Sequence, residues 1–124
     1  MTAVRIVVGV LLLAHGFVHL LYLAPDVKEF SINRSWLLPD PARRPVAMAL
    51  VLATVVAFAL VALAVWGIPG LADAWPALII LGCLLSVALL VTYWNSALAI
   101  GIAIDLALAT MAITRPDWAD RLVG

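Results

Sequence analysis

Charge is scarce in this chain. Only 11% of its 124 residues are Asp, Glu, Lys or Arg, and they cancel to a formal net charge of zero. Soluble domains carry about 25% charged residues. Without a basic or acidic excess there is no global field to draw in nucleic acid, so no nucleic-acid partner is expected. Cysteine is scarcer still, with Cys83 alone. An intramolecular disulfide and a Cys-x-x-Cys redox relay are therefore excluded, and Cys83, inside an apolar run, reads as a small packing residue. The sole glutamate, Glu29, excludes a di-iron bundle, which needs several inward glutamates. No glycine-flanked serine elbow occurs, and Cys83 has no evident base, so nucleophilic catalysis has no signature.

What the chain has instead is apolar surface. It is 67% hydrophobic, with a mean hydropathy of +1.21. A soluble protein this small has too much surface for its volume to hide so many apolar side chains, and lipid is the solvent that fits. A spanning helix needs about 20 mostly apolar residues. The runs predict an all-α, integral membrane four-helix bundle forming a single domain, with helices near 3–24, 46–66, 74–94 and 97–114. The first run follows Arg5 like a signal peptide. It is too long for one and has no small-residue cleavage site, so it reads as a retained helix. Pro45 suits the first turn of the second helix, which Gly67, Pro69 and Gly70 stop. Asp73 is the expected N-cap of the third, with Pro76 in its first turn. Asn95 or Ser96 caps the fourth, and Pro116 ends it. Trp36, Trp66, Trp75, Trp94 and Trp118 fall at or just beyond helix ends, where amphipathic rings settle at a membrane interface.

Residues 25–45 read as a loop or interfacial segment capping one side. They are punctuated by Pro39 and Pro41 and contain the sequon Asn33-Arg34-Ser35, a triplet common by chance. Four spans put both termini on one side. That side has Arg5, Arg115, Arg121 and the terminal amine; the other has Lys28, Arg34, Arg43 and Arg44. The positive charges nearly tie. Termini inside are expected, because an even number of spans with a larger external loop is a common arrangement.

Ionisable groups within a span are costly and usually face the protein interior. Here they are His15 and His19 in the first helix and Asp105 in the fourth, with Thr54 in the second and Ser86 in the third as milder polar groups. His15, His19 and Tyr22 follow at steps of four and three, so they share one face. Counting from the loop-side helix ends, His15, Thr54, Ser86 and Asp105 each lie roughly 12–14 Å deep. Tyr22 and Tyr93 lie nearer that surface. The shared depth predicts a polar pocket beneath the long loop, with an Asp105–His15 or Asp105–His19 contact. Gly16 leaves room for a neighbour beside the histidines, and Ala97, Gly101 and Asp105 form a small-residue face that allows close helix approach. A His–Asp pair in a dry site can relay a proton, hold a tautomer or anchor a polar ligand group.

Plainer readings compete. The His–Asp pair can serve only to fix helix register, Thr54 and Ser86 can bond to their own helix carbonyls, and the tyrosines can be interface residues. Histidines at i and i+4 can grip an ion, but no further strong ligand lies within a span, so no metal is expected. Histidines on one face of one helix cannot supply both axial ligands of a haem.

Arg5-Ile-Val-Val-Gly9, running into Ala14-His15-Gly16, resembles the opening of the DoxX-like family of small four-helix bacterial membrane proteins. Gly101-Ile-Ala-Ile-Asp105-Leu106 resembles a fourth-helix pattern among uncharacterised relatives. The resemblance implies a bacterial inner (plasma) membrane location and, for some members, links to quinone-dependent sulfur oxidation or oxidative-stress complexes. The two histidines of the first helix match no DoxX motif and paired redox cysteines are lacking, so no catalytic residue is carried over. The leading expectation is a protein that binds a lipophilic molecule of quinone or isoprenoid type at His15, His19, Asp105, Tyr22, Tyr93, Thr54 and Ser86, with a quinone as the cofactor to consider and an accessory role in a redox complex. The alternatives are a structural or assembly subunit, partnered by other membrane chains or its own copies, and a membrane isomerase acting by proton transfer.

Overall fold

The computed structural model describes residues 2–23, 37–93 and 99–123. It is all-helical there. Helix α1 (Thr2–Val18) tightens into a 3-10 turn (His19–Leu23). Helix α2 (Asp40–Val65) and helix α3 (Trp75–Thr92) follow, the latter preceded by a 3-10 turn (Ala72–Ala74). Helix α4 (Ala99–Thr114) and a short helix α5 (Asp117–Val123) complete the described chain. Three segments, Ala3–Tyr22, Pro41–Val65 and Ala72–Thr92, are long and apolar enough to cross a membrane. A fourth is reached if α4 and α5, bent by 95° at Arg115–Pro116, count as one broken span.

Packing follows chain order: α1 lies on α2, α2 on α3 and α3 on α4. The outward surface is apolar. Val7, Val10 and Leu11 of α1, Leu52 and Val56 of α2, Leu84 of α3 and Ile100, Leu106 and Ile113 of α4 are all exposed. Only Asp105 and Ala112 of α4 are buried.

Several boundaries differ from those expected. Helix α2 begins at Asp40 rather than near Val46, so residues 40–45 are helix and not loop. Pro41, not Pro45, occupies the first turn, where a missing N–H leaves no intrahelical bond unmade. Pro45 lies inside the helix. Asp73 does not cap α3; it falls in the preceding 3-10 turn, and Ala74 holds the N-cap position without a side-chain bond. Helix α5 was not expected at all. The stop after α2 is as expected and has a clear cause. Gly67, at φ +88°, adopts a left-handed conformation that glycine takes without a Cβ clash. Gly67 N–H then donates to Ala64 O and Ile68 N–H to Leu63 O, satisfying carbonyls the helix leaves open.

Of the five tryptophans, Trp66 caps α2 and is partly exposed, and Trp118 is exposed on α5. Trp75 departs from the interfacial pattern. It is buried, and its indole N–H donates to Asp120 Oδ1 at 3.0 Å, tying α3 to α5. Trp36, Trp94, the caps at Asn95 or Ser96, Ala97 and the loop from Pro25 to Trp36 lie outside the described residues.

Candidate functional site

Helix spacing fixes the starting geometry. Residues four apart on a helix stack on one face, so α1 presents His15 and His19 together towards α3 and α4. Gly16, between them, lets α2 approach: a Cβ there would sit 2.6 Å from Phe58 Cβ. Phe58 fills the space that glycine leaves. Its ring lies edge-on to His15 at 4.9 Å and nearly parallel to His19 at 6.5 Å between centroids. Both imidazoles are thus held against an aromatic wall from α2.

The polar side chains join into one chain. His15 Nε2 lies 2.7 Å from Asp105 Oδ1. The other carboxyl oxygen, Oδ2, lies 2.5 Å from Ser86 Oγ. Ser86 Oγ in turn lies 2.7 Å from His19 Nε2. His19 Nδ1 completes the path against its own helix, 3.0 Å from His15 O and 3.1 Å from Gly16 O. The helix changes to 3-10 pitch at this residue. Asp105 and Ser86 are fully enclosed and His19 nearly so; His15 alone keeps part of its side chain, 13%, at the surface. Such closure suits an apolar setting, where an unmade buried hydrogen bond is expensive.

Of the expected contacts, Asp105 makes the one to His15, while His19 reaches it through Ser86. Thr54 is buried at 0% but donates to Leu50 O at 2.7 Å, four residues back on its own helix. The connected network therefore draws on α1, α3 and α4, and α2 contributes Phe58. Tyr22 and Tyr93 pack on each other, with centroids 5.9 Å apart, in a separate cluster with Ala47, Val51, Leu89 and Leu90. Tyr93 donates its hydroxyl hydrogen bond to Arg43 O. Cys83 is free and buried among core residues. Among the described residues, no three His, Cys, Asp or Glu side chains converge as a metal ion would require.

A recess of about 190 Å³ lies on the other side of the polar layer from the tyrosines. It is lined by Val8 and Leu12 of α1, Leu108 and Met111 of α4, Trp75 and Ile79 of α3, and Trp118 and Leu122 of α5. Its walls are entirely apolar or aromatic. Leu12 is three residues before His15, and Leu108 is three after Asp105, so the His–Asp contact stands about one helical turn above the recess. A pocket was expected under the loop between α1 and α2; residues 24–36 of that loop lie outside the described residues, and the tyrosine cluster lies on the same side of the polar layer. The role of Phe58 was not foreseen, although the gap at Gly16 called for some bulky neighbour.

No protein-family model, curated protein or solved structure matches the chain.

Proposed function

We propose that the chain is an integral membrane four-helix bundle of the DoxX-like kind, resident in a bacterial inner membrane with cytoplasmic termini. It binds a lipophilic molecule of quinone or isoprenoid type and acts as an accessory subunit of a redox complex. The observation that carries this reading is the apolar recess between α1 and α4 with the His15–Asp105 contact about one turn above it. Binding sites for small lipophilic molecules pair apolar walls with a few polar groups that fix orientation. A cavity of this size has room for a single ring or a short prenyl segment; an apolar cavity of about 150 Å³ holds benzene. His15, the network member nearest the surface, is the group placed to meet the polar end.

The test is to purify the protein in mild detergent, extract bound lipid and identify it by mass spectrometry, alongside Leu12→Trp and Leu108→Trp variants that fill the recess. A quinone or isoprenoid retained by the wild type and reduced tenfold or more in both folded variants is the expected result. Equal retention by filled and unfilled proteins overturns the reading.

One observation favours a second reading, a structural or assembly subunit. Each side chain of the polar chain already has a partner within the protein, and α4 turns an apolar face outward through Ile100, Leu106 and Ile113. On this reading the network fixes helix register and α4 docks a partner helix. It requires a larger complex on native gels and no dependence on the recess.

A further inference from the structure

Counting protons along the buried chain gives a result that the distances alone do not state. His19 Nδ1 faces two backbone carbonyl oxygens, of His15 and Gly16. A carbonyl only accepts, so Nδ1 carries a hydrogen. A neutral His19 then has a bare lone pair at Nε2. That nitrogen lies 2.7 Å from Ser86 Oγ, and the same Oγ lies 2.5 Å from Asp105 Oδ2. Two hydrogen bonds meet at the serine oxygen, and serine supplies one hydrogen. With Asp105 a bare carboxylate and His19 neutral, one of these contacts would set two lone pairs against each other. Among buried groups such a contact is not sustained.

We propose that Asp105, Ser86 and His19 form a proton store that holds one hydrogen more than a carboxylate, a serine and a neutral histidine contain. Two arrangements satisfy every contact. In one, Asp105 is a carboxylic acid whose Oδ2–H donates to Ser86, and Ser86 donates to His19 Nε2. In the other, His19 is an imidazolium whose Nε2–H donates to Ser86, and Ser86 donates to the Asp105 carboxylate. They interconvert when the acid proton passes to the serine oxygen as the serine proton passes to Nε2. No heavy atom need change partners, and the trio is neutral overall in both. His15 Nε2–H donates to Oδ1 in either arrangement. A proton placed on His15 instead does not repair the serine contact, so the geometry singles out the trio.

The store has one door. Its His19 end is closed, because the carbonyls that hold Nδ1–H do not take a proton onward. Its Asp105 end touches His15, the one member with surface exposure. Charging through His15 balances when its Nδ1 takes up a proton, its Nε2–H passes to Oδ1, and the carboxyl turns about Cβ–Cγ to present that hydrogen to Ser86; discharge reverses these steps, which suits a ligand whose polar end gives up or takes a proton at the α1–α4 seam. This last step rests on the function proposed above; the proton count does not.

The test uses ligand-free full-length protein in bilayers at neutral pH. Nitrogen NMR of histidine-labelled protein reads the state of both rings, and infrared spectroscopy reads the acid carbonyl stretch, assigned by its loss in Asp105→Asn. An imidazolium signal from His19, an acid carbonyl from Asp105, or exchange between the two is the expected result. Ser86→Ala, which removes the bridging oxygen, should abolish that exchange while leaving the His15 signal in place. An Asp105 carboxylate with His19 neutral overturns the proposal, as does an imidazolium at His15 alone. Because no ligand is present, failure of the ligand reading leaves these signals unchanged, and their absence leaves the extraction experiment standing.

Discussion

His15 Nε2 sits 2.7 Å from Asp105 Oδ1 and so ties α1 to α4, two helices that otherwise pack mainly on their sequence neighbours. A single side-chain contact at this seam carries more of the closure than one inside a well-packed interface. Interhelical hydrogen bonds in membranes average about 0.6 kcal/mol and reach about 1.7. The short distance and the enclosed carboxyl place this one towards the upper end. A double-mutant cycle with His15→Ala and Asp105→Ala, read by unfolding in detergent, should give a coupling of roughly 1–1.5 kcal/mol. Additive single effects would show that the contact contributes nothing of its own.

Gly16 and Gly9 both lie where α1 meets α2, yet their substitution should differ in cost. At Gly16 a new Cβ would stand 2.6 Å from Phe58 Cβ, an atom fixed to its backbone, so the helices themselves must separate. At Gly9 it would meet the Trp66 ring at 2.1 Å, but that ring is 38% exposed and can swing outward. Gly16→Ala should cost about 1–3 kcal/mol, as overpacking of a tight core does, and Gly9→Ala less. Detergent melting temperatures of the two variants decide it; equal losses would mean that Phe58 yields as readily as Trp66.

The sequence carried the helical runs and the meeting of Asp105 with a histidine of α1, because both follow from spacing and depth along stiff elements. It did not carry the order of the network. Which histidine reaches the carboxyl depends on how far α3 intrudes, and Ser86 intrudes far enough to stand between His19 and Asp105. Thr54 shares the depth of Ser86 but turns to Leu50 O, a rotamer choice that residue type does not decide. Helix α5 was missed because Pro116 ends the apolar run and the seven residues that follow, with Asp117, Asp120 and Arg121, are too short and too charged to stand out as a span. Only in the fold do Ala119, Leu122 and Val123 find a core to cover. The start of α2 was misplaced because Pro41 and Pro45 suit a first helical turn equally well.

Arg5 read as a positive charge at a membrane face, but the structure gives it a joining role. Its Nε donates to Val65 O, the last residue of α2, at 3.1 Å, and its Nη2 donates to Val123 O, the last of α5, at 2.7 Å. A cation placed on the final carbonyls of two helices satisfies groups the helices leave open and complements their dipoles. Hydrogen bonds with one charged partner contribute about 1.5–3 kcal/mol; partial exposure puts this site at the low end. Arg5→Met should speed amide exchange in α5 before it affects α3. Exchange unchanged in α5 would remove the joining role.

Asp120 supplies the acid-sensitive contact of that same end. It receives Arg115 Nη2 at 2.9 Å and the Trp75 indole N–H at 3.0 Å, both on Oδ1. The Arg115 hydrogen bond, then that of Trp75, holds its carboxyl below the usual aspartate value of 3.8. With the folded-state value depressed, this stabilisation is fully present above the unfolded-chain value and fades as pH falls through the folded one. The effect is small, because the carboxyl is open to solvent and screened. Acidification below the ordinary carboxylate range should therefore change Trp75 fluorescence as its N–H loses a charged acceptor, with no such change at neutral pH. Asp120→Asn should remove the step and leave the neutral-pH spectrum close to that of the acidified wild type. An acid step that survives in Asp120→Asn would assign it to another carboxyl.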